Sequence, residues 1–255
     1  MNSFERTLIE KAGADNGWEC ILESTPERII LASSQNPVTV QITTDSIAAI
    51  KYTLEFSEDV DRTELSRLMP DFLFDTTGIH AINEETLALV LRRYAELVVS
   101  LPARPLDQYE AEVSNAIDEQ PGIRGTETER LVRQRIGQDV YRKALLKYWE
   151  GQCAVTGITV SEILRASHAK PWADCETDGE RLNVYNGFLL SANLDGLFDS
   201  GLISFSDEGD MVISADLDEA QRKEIGLDTG LSLRWIDRNH IPFLKWHRDR
   251  VFKGS

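Results

Sequence analysis

Cysteine is scarce in this chain of 255 residues: Cys20, Cys153 and Cys175 are the only three, odd in number and far apart. That spacing excludes a disulfide framework and reads as reduced, unpaired thiols. Long apolar runs are missing as well. With no stretch of eighteen apolar residues, no segment can cross a bilayer as a helix, and no membrane partner is expected. The first residues, MNSFERTLIEK, lack a basic stretch followed by an apolar core. They read as an amphipathic helix rather than an export signal, which makes the cytoplasm the expected compartment. Repeats and low-complexity tracts are also absent.

Positive charge is in short supply, with 27 Lys and Arg against 43 Asp and Glu and a formal net charge of −16. Binding to a polyphosphate is carried by Lys and Arg, so this deficit argues at first sight against nucleic acid. The deficit is uneven. Residues 1–120 hold 22 acidic and 9 basic residues, whereas 121–255 hold 21 and 18. Two segments are locally positive: 121–150, with 7 basic against 4 acidic, and 234–255, with 6 against 2. The acidity belongs mainly to the N-terminal half and does not exclude a DNA-directed C-terminal half.

Length alone suggests two domains. Residues 2–13 read as helix, and GWECILES, ERIILAS and VTVQITT as short strands. KYTLEFSEDVDRTELSRLMPDFLF is mixed, with Pro70 ending a helix. INEETLALVLRRYAELVVS predicts a helix capped by Asn83, with Glu84 and Glu85 in its dipole-favoured first turn. Residues 101–126 are rich in Pro, Asp, Glu and Gly and read as an exposed connection with one short helix over 107–119. This pattern gives an N-terminal mixed α/β module at 1–105, a linker at 106–126 and a C-terminal domain at 127–255.

The C-terminal domain opens on the longest predicted helix, 127–150. Thr126 and Glu129 give a capping-box pattern at its start. Val132, Ile136, Val140 and Ala144 form its apolar stripe. Lys143 and Lys147, with Arg135 and Arg142 on a neighbouring face, read either as a solvated basic face or as a phosphate-contacting one. Gly137 in mid-helix costs roughly 1 kcal/mol relative to Ala and marks close packing or a bend. Further on, GLISFSDEGDMVIS predicts two strands about a turn. LDEAQRKEI is read as a short helix, and IPFLKWHRDRVF as a basic amphipathic one.

Between these lies the stretch with chemistry. ILRASHAKPW begins as a strand placing Leu164, Ala166 and His168 on one face, and Pro171 ends it. ADCETDGER is a turn-rich excursion, LNVYNGFLLS a second extended segment, and SANLDGLFDS opens a helix with Ser191 as its cap. Asp195 and Asp199 then project from one side of that helix. Phosphodiester hydrolysis requires a base working near neutral pH, which an imidazole supplies. It also requires neutralisation of developing charge, which a carboxylate-held divalent ion supplies. An Asn side chain fastening the loop to the first strand would fix the imidazole.

Three separated motifs, CAVTG (153–157), SHAKPW (167–172) and NGFLLSANLDGLFDSGLISF (186–205), stand in an order and spacing that resembles the HNH endonuclease family. The flanks LVRQRIGQDVYRKALLKYW and FLKWHRDRVF are similar to those of such proteins, so the resemblance extends over about 125–255. It implies a ββα-metal nuclease domain with flanking helices, which together with the N-terminal mixed α/β module gives an α+β chain. It further implies a metal-dependent DNA endonuclease active in restriction or anti-phage defence. His168 would be the general base, Asn186 the residue bracing the loop, and Asp195 and Asp199 the metal-binding carboxylates, with Asn193 as a substitute ligand. Arg165 and Lys170, flanking the base, would contact the scissile phosphate. The cofactor implied is Mg²⁺, with Mn²⁺ as the alternative.

The chain departs from the family twice. Ser167 stands before the base, where Asp or His is common, and Thr156 occupies the position that would complete a zinc-binding CxxC with Cys153. No structural zinc is expected, leaving that role to core packing. Ser167 supports a second reading, a silent DNA- or protein-binding module on a decayed scaffold; an RNA-acting nuclease is a third. The acidic N-terminal module is expected to bind a partner protein, to self-associate as a homodimer or to regulate. Trp172, Phe188, Leu190, Leu197 and Phe198 read as core. His80, His240 and His247 show no partner pattern that singles them out.

Overall fold

The computed structural model describes the chain except residues 45–49, 68, 70–73, 75–77, 228–229 and 255. It divides into two compact units, Met1–Val99 and Ser100–Ser255. Pro70, expected to end a helix, lies outside the described residues.

The first unit is a five-stranded antiparallel meander with helices. Helix α1 (Ser3–Asp15) is capped by Asn2 in a reciprocal box with Glu5. Strands β1 (Cys20–Ser24), β2 (Arg28–Ala32), β3 (Thr39–Thr44), β4 (Tyr52–Phe56) and β5 (Ile79–Ala81) follow in sheet order. Between β4 and β5 lies the short helix α2 (Arg62–Ser66), and α3 (Glu84–Ser100) ends the unit. Alternate residues of the central strands point to one face: Ile29 and Leu31, Val40 and Ile42, Tyr52 and Leu54 are all buried. This is the period-2 pattern of a half-covered sheet. Trp18 ties the helical layer to itself, its indole N–H donating to the Leu91 carbonyl of α3 at 2.9 Å. As expected, Asn83 caps α3 by accepting from the Thr86 N–H.

The second unit begins with α4 (Arg104–Glu119), which takes up most of the stretch expected as a connection. Its Tyr109, Val113 and Ile117 are buried, and it packs on α5 (Glu127–Tyr148). Thr126 caps α5 by accepting from the Glu129 N–H, but the Glu129 carboxylate accepts from Gly125 rather than closing the box on Thr126. The buried line of α5 runs through Gly137, Val140, Tyr141, Ala144, Leu145 and Tyr148; Val132 and Ile136 are only partly covered.

The chain then builds β6 (Leu164–His168), a long excursion holding α6 (Asp178–Arg181), β7 (Gly187–Ser191) and α7 (Ala192–Asp199). Strands β6 and β7 pair antiparallel with Ser167 opposite Phe188 and His168 opposite Gly187. Helix α7 follows β7 without a break and packs back on both strands, which completes a ββα unit. Ser191 holds its N-cap position without a side-chain capping bond. The CAVTG stretch is a tight turn docked on β7, with the Ala154 N–H donating to the Leu189 carbonyl at 2.7 Å. The hairpin β8 (Ile203–Phe205) and β9 (Met211–Ile213), then α8 (Glu219–Glu224) and α9 (Ile241–Arg250), complete the unit. The whole is the α+β architecture anticipated.

Candidate active site

Alternation along β6 sets the geometry of the site. Leu164, Ala166 and His168 face one way, while Arg165 and Ser167 face the other, toward α7. His168 lies against α5, its ring stacked on Tyr141 with centroids 3.9 Å apart and planes 19° apart. Trp172 meets the same imidazole edge-on at 5.9 Å. The ring nitrogen Nε2 lies 2.8 Å from the Arg181 carbonyl oxygen at the end of α6. A carbonyl can only accept, so Nε2 carries the proton and the neutral ring keeps its lone pair on Nδ1. Burial pushes the His168 pKa down to about 4, opposed by the bond to Arg181. The imidazole is neutral at pH 7.

Asn186 is fully buried and braces the excursion between the strands. Its Oδ1 accepts the Lys170 N–H at 2.8 Å, and its Nδ2 reaches the Lys170 and Glu180 carbonyls, both at 3.1 Å, and the Cys175 sulfur at 3.3 Å. The Arg181 guanidinium adds bonds to the Trp172 and Cys175 carbonyls and to Asp178. These bonds hold the Arg181 carbonyl, and through it His168, in place. Lys170 is directed into an ion pair with Glu180 at 2.9 Å, so its ammonium is already engaged.

On the other face, Asp195 and Asp199 lie one helical turn apart. The Ser167 hydroxyl donates to Asp199 at 3.3 Å and also bears on Asp195. Burial lifts both carboxyl groups above their ordinary range, and the Asp195 charge lifts Asp199 further. A like charge one turn away disfavours ionisation in this way. Arg165 draws Asp195 back toward ionisation while its guanidinium bonds the Glu162 and Leu164 carbonyls. Asn193 turns away to the Ile225 carbonyl at 3.0 Å. A cavity of about 350 Å³ brings the two faces together, bordered by Ser167, His168, Trp172, Asp199 and His247.

Residues 153–206 match the HNH endonuclease family model. This segment is an HNH endonuclease domain. The match contains both strands, the excursion and α7, so the ββα unit is the HNH core. No curated protein matches the chain. HNH domains act as nucleases on DNA and typically use a divalent metal ion. Among the described residues, no group of three or more His, Cys, Asp and Glu side chains gathers around one point. The oxygen donors at hand in the HNH core are the Asp195 and Asp199 carboxylates, steadied by Ser167. Hard carboxylate oxygens, partly buried one helical turn apart, suit a divalent ion that would keep water and substrate oxygens in its remaining positions.

Four contributors carry no clear mark in the sequence. The Arg181 carbonyl is a backbone group, to which residue type gives no clue. Tyr141 sits outside the matched segment, on a helix whose expected stripe shares Val140 and Ala144 with the buried line but leaves out Tyr141 beside them. Trp172, read as core, is a wall of the cavity. His247, unmarked in the sequence, borders that cavity with its ring stacked on Phe198 at 3.9 Å.

Proposed function

We propose that the HNH domain hydrolyses DNA phosphodiesters with His168 as general base and with Asp195 and Asp199 holding a divalent cation, Mg²⁺ first and Mn²⁺ as the alternative. The observation that carries this is the commitment of His168 Nε2–H to the Arg181 carbonyl, which reserves Nδ1 as the proton acceptor on a cavity shared with Asp199. Asn186 holds the loop that supplies this carbonyl. Water gives its proton to Nδ1, and the Arg181 carbonyl stabilises the imidazolium that results. An anionic phosphate entering the cavity raises the pKa of the ring and brings it closer to working pH. When bound, the cation supplies neutralisation of charge developing on the phosphoryl oxygens.

Arg165, on the carboxylate side, is the better placed of the two candidate phosphate contacts; Lys170 must first leave Glu180. We assign the acidic N-terminal unit to partner binding, self-association or regulation on its charge, and the biological setting to restriction or anti-phage defence on resemblance to the HNH family.

The test is cutting of supercoiled plasmid with Mg²⁺ or Mn²⁺. His168→Ala should lose about 10²- to 10⁴-fold in rate, the usual contribution of a general base. Asp199→Ala should shift the metal dependence to higher concentration. Equal cutting by wild type and His168→Ala would leave the silent scaffold as the reading. Preferential cutting of RNA in competition would replace DNA as the substrate.

A further inference from the structure

We infer that Tyr141, on α5 and outside the matched segment, is the positioning residue that holds the His168 ring in its working orientation. This rests on His168 being the general base. The Nε2 bond to the Arg181 carbonyl and the edge-on contact with Trp172 leave rotation about the Cβ–Cγ bond to be limited by what covers the faces of the ring. Terminal torsions onto a flat ring are broad, so rotamer preference alone does not stop the pivot. The Tyr141 ring, parallel to within 19° and 3.9 Å away, covers one face of the imidazole and removes that freedom.

Tyr141 is itself locked. It is buried, and its hydroxyl donates to the Asn186 carbonyl at 2.9 Å. The same carbonyl accepts the N–H of Ala169, the residue after the base, at 3.0 Å. One phenol thereby links the face of the base, the bracing Asn and the end of β6. The strand register makes room for it, because the residue opposite His168 is Gly187. A Cβ at Gly187 would lie 2.3 Å from the Tyr141 hydroxyl and 2.0 Å from the Ser167 carbonyl oxygen. The phenol fills space that a side chain at that position would claim.

The experiment uses the full chain with Tyr141→Phe and Tyr141→Leu, each checked for folding by circular dichroism. Two readouts are taken: kcat and KM for cutting a duplex oligonucleotide with Mg²⁺, and the ¹⁵N shifts of the His168 ring in the metal-free protein. Tyr141→Leu should turn a single Nε2–H tautomer into a mixture. It should lower kcat by about 100-fold, the cost of misplacing a reacting group by about 1 Å, with KM little changed. Tyr141→Phe keeps the stacked plane and should retain both the tautomer and most of kcat, since Ala169 still donates to the Asn186 carbonyl. If the Leu variant unfolds, Tyr141→Met, which fills the volume without a plane, takes its place.

Wild-type ¹⁵N shifts and kcat in a folded Leu or Met variant would overturn the proposal. So would a Phe variant as impaired as Leu, since the hydroxyl and not the stacking would then be the cause. If wild type and His168→Ala cut alike, the nuclease reading fails, and the ring shifts still decide the role of Tyr141.

Discussion

His247 has both ring nitrogens engaged inside the C-terminal unit: Nδ1 with the Ser204 hydroxyl at 3.0 Å and Nε2 with the Phe198 carbonyl at 3.1 Å. The carbonyl fixes Nε2 as the protonated nitrogen, so Nδ1 accepts from Ser204 and the neutral ring is fully satisfied. Burial holds its pKa down to about 4, as it does for His168. In the unfolded chain an imidazole titrates near 6.5, so between the two values the unfolded state binds more protons. The stability tied to neutral His247 is therefore complete above about pH 6.5 and is lost as pH falls toward 4. Between pH 7 and 5 the expected loss is about 2 kcal/mol, with a similar amount from His168. Asp195 and Asp199, raised chiefly by burial, act in the opposite sense, so the comparison with a His247 variant isolates the histidine's share. Urea unfolding at pH 7, 6 and 5 checks this: wild type should weaken stepwise, and His247→Gln should show a shallower slope. A wild-type profile flat from pH 7 to 5 would contradict the argument.

The elements that build the site meet through one notch. A Cβ at Gly137 of α5 would fall 2.2 Å from Cη2 of Trp172, whose ring stands edge-on to His168. In an open helix, Gly→Ala gains roughly 1 kcal/mol. Here the clash forces the indole to move, at about 1–3 kcal/mol for overpacking, and the clash should prevail. Gly137→Ala is expected to lower the urea midpoint and to reduce plasmid cutting together; a midpoint raised by the propensity gain would show the notch to be slack. The same elements show what could be read in advance. β6, β7 and α7 were legible because Pro171 ends the first strand, GFLLS is a short continuous apolar run, and the helix carries carboxylates at i and i+4. Gly137 was legible as a packing site but not its occupant, since the fold, not the spacing, brings Trp172 to α5. Lys170 carries no local sign of its ion pair with Glu180, which exists only once the excursion closes. The sheet of the first unit was half visible: β2 and β3 alternate cleanly, whereas β1 is mostly exposed, β4 lies in a mixed segment and β5 has only three residues.

At the scale of the molecule, charge is divided between the units. Residues 1–99 contain 17 acidic and 8 basic residues, and 100–255 contain 26 and 19, so the first unit carries the larger negative charge on the shorter chain. A polyanionic substrate is repelled by both, and the N-terminal unit adds to that repulsion without contributing a residue to the HNH core. We therefore expect the chain from Ser100 onward to cut DNA faster than the full chain at low salt. Division at this point leaves α4 whole, with its buried Tyr109, Val113 and Ile117 still packed on α5, whereas division at 105 would enter the helix. The gain should be about 3- to 10-fold near 50 mM salt, as long-range fields affect encounter more than chemistry. It should shrink toward unity at high salt, where the screening length falls to a few ångströms. Initial rates of plasmid cutting across a salt series, for the full chain and for residues 100–255, provide the measurement. A shortened chain that cuts no faster at low salt would show that the acidic unit does not restrain the nuclease by charge. A gain independent of salt would point instead to a specific contact, because only the long-range part of the repulsion is removed by counterions.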